Sequence, residues 1–152
     1  MNDLNFSVVI PGQPIGKARP RMTRTGHVYT PQTTAAWEMG AAHLMKSEWR
    51  RPPYDKECAL FVVAVFQRPK RLMRKKDPKT RLWAPVKPDF DNVAKIVCDA
   101  IQRAGVVLDD KLVVDGRCLT MFTAIDEAPC VEISLCSAGE APNLDSLWGS
   151  GE

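Results

Sequence analysis

The clearest pattern in the chain is an apolar stripe. Between Asn92 and Ala104, the residues Val93, Ile96, Val97, Ala100, Ile101 and Ala104 recur at i, i+3, i+4, i+7, i+8 and i+11. That spacing collects them on one face of an α-helix and leaves the opposite face polar. Asp91 stands where an N-cap belongs, and Gly105 where a chain leaves its helix in the left-handed conformation. A weaker stripe of Trp37, Ala41, Leu44, Met45 and Trp49 predicts an earlier helix. It starts at a cap on Thr33 or Thr34, runs to about Arg50, and stops at Pro52-Pro53.

Other segments carry strand patterns. Phe6 to Ile10 is a short β-rich run ended by Pro-Gly, and His27-Val28-Tyr29 reads as a short extended piece before Pro31. Cys58 to Phe66 is apolar without interruption, which predicts a strand buried on both faces. Val106 to Leu108 reads as extended. Leu112 to Ala124 reads as a strand, with Val131 to Leu135 as its hairpin partner across a turn at Asp126–Pro129. Residues 11–26 and 67–87 read as loops, the second unusually long and interrupted by Pro69, Pro78 and Pro85. The order β, α, β, long loop, α, β, β predicts one α/β (α+β) domain over residues 1–136, a mixed sheet packed with two main helices. Residues 137–152 are rich in Gly, Ser and Pro and read as a flexible C-terminal tail.

Composition narrows the class. The 152 residues suit a single core, and no apolar run approaches the ~20 residues of a membrane span. The N-terminus has no basic flank followed by an apolar stretch, so the expected compartment is the cytoplasm. The five cysteines are odd in number and form no C-x-x-C pair, which predicts reduced thiols packed as small core residues. His27 and His43 have no nucleophile partner nearby in sequence and read as structural. Trp37 and Trp49 read as core.

Charge then changes the picture. The net charge is only +3, yet residues 11–24 and 68–87 hold 13 of the 21 basic residues with a single acid, Asp77. Residues 89–115 carry six aspartates against three basic residues. Two basic loops flanking an acidic centre point to a polyanion attacked with the help of a metal. Phosphate contacts are expected from Lys17, Arg19 and Arg21, and from Arg71, Arg74, Lys75 and Lys76. Recognition would then rest on shape more than on base edges.

The acidic centre opens with Lys87-Pro88-Asp89-Phe90-Asp91-Asn92. A helix of 13 residues from Asn92 spans about 20 Å, and residues 105–110, if extended, also span about 20 Å. A chain doubling back after Gly105 would therefore bring Asp109-Asp110 towards Asp89 and Asp91. Carboxylates gathered at one point resist shared ionisation, and a divalent cation resolves the conflict. Mg²⁺ suits all-oxygen ligands completed by water and substrate phosphate, and such an ion activates water and stabilises charge on a phosphodiester. Lys95, four residues after Asp91, projects from the polar face, either towards a scissile phosphate or into a plain i,i+4 pair with Asp91.

The segment DFDNVAKIVCDAI…AGVVLDDKLVVD, residues 89–115, resembles the RusA family of Holliday-junction resolvases, which phages and prophages also carry. GKARPRM and VYTP upstream are similar to the phage-type branch, and the likeness covers most of residues 6–136. The resemblance implies a Mg²⁺-dependent endonuclease, with Mn²⁺ as an alternative ion. It implies a homodimer that nicks two strands of a four-way junction in DNA recombination and repair. It implies Asp89, Asp91 and Asp110 as metal ligands, Lys95 as the essential lysine, and Asn92, Asp99 and Asp109 as supporting positions. The long Lys/Arg loop at 68–87 exceeds what a minimal version of that fold needs. Two other readings compete. Pro88-Asp89 with Asp109-Asp110-Lys111 fits a PD…D-x-K nuclease pattern that would make Asp109 and Lys111 catalytic. A non-catalytic branched-DNA-binding protein would use the same basic loops, but clustered carboxylates repel phosphates and serve it no purpose.

Overall fold

The computed structural model describes residues 4–17, 21–29 and 32–140. Its strands are β1 (Asn5–Pro11), β2 (Arg21–Met22), β3 (Val28–Tyr29), β4 (Cys58–Phe66), β5 (Leu82–Trp83), β6 (Val113–Phe122) and β7 (Cys130–Ser137). Its helices are α1 (Gln32–Glu48) and α2 (Phe90–Ala104). Five strands form one sheet in the order β1-β7-β4-β6-β5, and β2 pairs with β3 in a separate ribbon. The sheet is mixed: β4 and β6 run parallel, and the other neighbours are antiparallel.

The uninterrupted apolar run of β4 follows from its central place. Leu60, Val62, Ala64 and Phe66 enter the main core, while Phe61, Val63 and Val65 pack with Met121 on the other face. β1 and β7 bury alternate residues only, Phe6, Val8 and Ile10 on one and Val131, Ile133 and Leu135 on the other. The α2 stripe is buried throughout, from Val93 to Ala104. The α1 stripe is Thr34, Glu38, Ala41, Ala42 and Met45, with Trp49 buried just past its end. Trp49 meets Phe6 edge-to-face at 5.5 Å, and Trp37 packs against the same core.

Four expectations are corrected. β6 and β7 are not a hairpin, because β4 lies between them, parallel to one and antiparallel to the other. The crossing spans two strand spacings, about 10 Å, which residues 123–129 cover easily. Thr33 and Thr34 lie inside α1 and do not cap it. The N-cap of α2 is Asp89, and Asp91 sits in the first turn. The loop at 67–87 holds a 3₁₀ turn at Lys70–Leu72 and the strand β5, and the loop at 11–26 holds β2. Gly105 closes α2 at φ 75°, where its N–H donates to the Gln102 carbonyl. Val107 then bridges to Tyr54. Residues 141–152, most of the expected tail, lie outside the described residues.

Candidate active site and nucleic-acid interface

β1 and β4 each pair antiparallel with β7, so both finish at the same end of the sheet. The segments that leave them are tied together there, where the Gln67 N–H donates to Gln13 Oε1 at 2.9 Å. From that end, residues 14–17 run on to the start of α2. The Lys17 N–H donates to the Asn92 carbonyl at 3.0 Å. Gly16 lies so close to α2 that a Cβ there would stand 2.6 Å from Pro88 Cβ and 3.1 Å from Asn92 Cβ. An open cleft of about 530 Å³ lies along this contact, with Pro14, Ile15, Lys87, Pro88, Asp89 and Asn92 in its walls.

Asp89 and Asp91 are both exposed at the helix start, where the positive end of the helix dipole favours negative charge. The Asp89 carboxylate makes no capping bond to a helix N–H. It accepts instead from Asn92 Nδ2 at 2.9 Å. Neither aspartate forms an ion pair among the described residues. Lys95 is exposed and free of the i,i+4 pair with Asp91 that a solvated helix face would favour. It stands about 6 Å further along the helix and about 40° around it.

Asp110 lies on the same flank but further along. Its N–H donates to Gln102 Oε1 at 3.1 Å. Gln102 is 11 residues past Asp91, about 16 Å of helix rise. Burial raises the Cys98 thiol to about 11, and Asp110 and Asp99 push in the same direction. The return from Gly105 thus runs back along α2 and is tied to it through Gln102. Asp109 caps the 3₁₀ turn at Asp110–Leu112, accepting from the Lys111 N–H at 3.0 Å. That bond, with smaller help from Asp110 and the Lys111 charge, holds its carboxyl below the usual range against burial. Among the described residues, no three His, Cys, Asp or Glu side chains converge as a metal-binding group. The oxygen-only pair Asp89 and Asp91 fits a hard divalent ion that keeps waters and a substrate phosphate in its shell.

The basic residues divide. The Lys17 ammonium is held by Asp99 at 3.0 Å and by Glu38 at 3.2 Å. Burial alone would lower its pKa, but these two carboxylates outweigh it and raise it. Arg19 lies outside the described residues, and the Arg21 backbone pairs with Tyr29 in the β2–β3 ribbon. Arg71, Lys75 and Lys76 are exposed and form no ion pair among the described residues. Arg74 is exposed and pairs with Asp77.

Two functional supports escaped the sequence reading. Arg68, only 1% exposed, donates to the carbonyls of Pro78 and Thr80, and its own N–H donates to Thr123 Oγ1. It braces the base of the Lys/Arg loop, and nothing in its neighbours in sequence marks it. Glu38 is buried and receives both Lys17 and Arg103. Its signal was available: it falls on the α1 stripe with Thr34, Ala41 and Met45.

All five cysteines are free thiols. No helix among the described residues is long and apolar enough to cross a membrane. Residues 11–135 match a family model whose description is endodeoxyribonuclease RusA. No curated protein matches the chain.

Proposed function

The chain belongs to the RusA endodeoxyribonuclease family, and from that premise we propose that it cuts four-way DNA junctions by metal-dependent phosphodiester hydrolysis, as a homodimer in the bacterial cytoplasm. The observation that carries this reading is the start of α2. Among the described residues, two exposed aspartates stand there without an ion pair, and Lys95 follows Asp91 one turn later. Two carboxylates and a lysine with no ion pair among the described residues have little purpose on a solvated helix and a clear one at a phosphodiester.

Asp89 and Asp91 would hold Mg²⁺, or Mn²⁺ in its place, and the proposal includes Asp110 as a further ligand. A bound ion would supply an activated water and charge stabilisation on the phosphate. Asn92 fixes the Asp89 carboxylate through its amide. Lys95 would sit against the scissile phosphate and take up negative charge as it develops. Asp99 and Asp109 support from outside: the first holds Lys17 and the second shapes the turn that carries Asp110. Arg19, Arg21, Arg71, Arg74, Lys75 and Lys76 would contact the junction backbone. Paired nicks follow from two sites in one dimer.

The test is nicking of a synthetic four-way junction with Mg²⁺ and with EDTA, alongside flapped and forked DNA. Metal-dependent nicking favouring the four-way junction is expected. Tight binding without it would leave a DNA-binding protein. Lys95→Ala should abolish nicking and spare binding, whereas loss only in Lys111→Ala would move the chemistry to Asp109 and Lys111. Mn²⁺ titration of Asp89→Asn, Asp91→Asn and Asp110→Asn separates the ligands.

A further inference from the structure

Glu38 is 5% exposed and lies on the core-facing stripe of α1. A buried carboxylate is costly unless paired and hydrogen-bonded. Glu38 meets Lys17 Nζ at 3.2 Å through one oxygen and Arg103 at 3.2 Å through the other. Its two partners come from different segments, the stretch after β1 that passes the start of α2 and the last turn of α2 itself. Lys17 also holds Asp99 at 3.0 Å, so two acids and two bases balance in one network.

The path does not stop at Lys17. Its N–H donates to the Asn92 carbonyl at 3.0 Å, and the Asn92 amide donates to Asp89 Oδ1 at 2.9 Å. These polar contacts, joined through the Lys17 side chain and through Asn92 itself, link the core-facing side of α1 to the carboxylate at the start of α2. Gly16, in van der Waals contact with Pro88, leaves the segment no slack along it.

We propose that Glu38 is a positioning residue for DNA cleavage, which, through Lys17 and Asn92, fixes the Asp89 carboxylate for the reaction. This rests on the nuclease reading above. Lys17 is then an internal strut and not a phosphate contact, although it sits in the basic N-terminal motif.

The experiment compares wild type, Glu38→Gln, Lys17→Met and the double variant. In each, kcat and KM for junction nicking, the salt dependence of junction binding, and amide hydrogen exchange by NMR are measured below the melting transition. Glu38→Gln should lower kcat by about tenfold to a hundredfold, as small misplacements of a reacting group do, with KM unchanged. The Lys17 amide should exchange at least about tenfold faster while the β4 amides do not change. The double variant should fall no further than the worse single one. Lys17→Met should leave the slope of log K against log salt unaltered, whereas loss of a real phosphate contact would reduce it by about 0.9. A slope reduced by about one in Lys17→Met, or a wild-type kcat in Glu38→Gln, overturns the proposal. So does unchanged exchange of the Lys17 amide in Glu38→Gln. If Glu38→Gln does not fold, Lys17→Met decides by its slope and its kcat. If wild type does not nick any junction, the nuclease reading fails and the positioning role falls with it. The exchange data then still report whether the Glu38–Lys17 strut exists.

Discussion

Replacing Gly16 by alanine adds one methyl group at the tightest contact beside α2. The new Cβ would stand 2.6 Å from Pro88 Cβ, 3.3 Å from Pro88 Cγ and 3.1 Å from Asn92 Cβ. Carbon atoms rest comfortably at about 3.5–4.0 Å, so the segment must withdraw by about 1 Å. Neither neighbour yields easily, since one is a proline ring and the other is anchored in the first turn of a helix. Overpacking of this kind costs about 1–3 kcal/mol. A withdrawal of 1 Å also stretches the Lys17 N–H to Asn92 bond beyond hydrogen-bonding distance, a further loss of about 0.5–1.5 kcal/mol. The sum, about 1.5–4.5 kcal/mol, is a large share of the stability of a domain this size. At about 2–4 °C per kcal/mol, Gly16→Ala should melt about 3–18 °C lower. Differential scanning calorimetry reads the shift, and NMR exchange reads the Lys17 amide. A variant that melts with wild type and keeps that amide protected would refute the close approach and the positioning built on it.

Other outcomes follow from the same geometry. Arg68→Met keeps the apolar stem but leaves the Pro78 and Thr80 carbonyls without their donor. It should lower stability in urea by about 2–4 kcal/mol and open the 67–81 loop to trypsin, and an unchanged digestion pattern would count against the brace. Burial pushes Glu127 up, but hydrogen bonds from Arg81 and the Ala124 N–H outweigh it and hold the carboxyl below its ordinary 4.5. A lowered folded value gives stability that is present above pH 4.5 and lost as pH falls through the folded value, so Glu127→Gln should flatten part of the acid loss in urea titrations. Equal acid sensitivity in both proteins would contradict it. Burial raises the thiols of Cys98 to about 11 and Cys118 to about 12, with nearby acids and thiols adding to it. Both should react with iodoacetamide at neutral pH at least about tenfold slower than a free cysteine, and rapid labelling by mass spectrometry would show them more open than the fold has them.

The parts of the site legible in sequence are those carried by one element. Asp91 and Lys95 are four residues apart in α2, so helical periodicity alone placed them on a common flank, and Asp89 stands just before them at the N-cap. Asp110 was less legible, because chain length permits many paths for the return after Gly105, and the Val107 bridge to Tyr54 and the bond from the Asp110 N–H to Gln102 are contacts between segments far apart in sequence. The ion pairs of Lys17 were not legible in the sequence for a related reason. A lysine in a basic segment looks solvent-facing until the acids across from it are known, and Glu38 and Asp99 lie on two different helices.

The sequence by itself determined the apolar face of α2, the central burial of β4, the segregation of charge and the family. Each is a local property, set by the spacing of side chains along one segment or by a motif within it. Only the tertiary structure decided that β4 separates β6 from β7, that Asp89 caps α2 without a side-chain capping bond, and that Lys17 pairs with Glu38 and Asp99. Strand order and ion pairing depend on which surfaces meet. A strand with alternating or wholly apolar residues specifies how much of it must be buried, and several neighbours satisfy that demand equally. The choice among them is made when the helices cover one face of the sheet and the connections must span what remains.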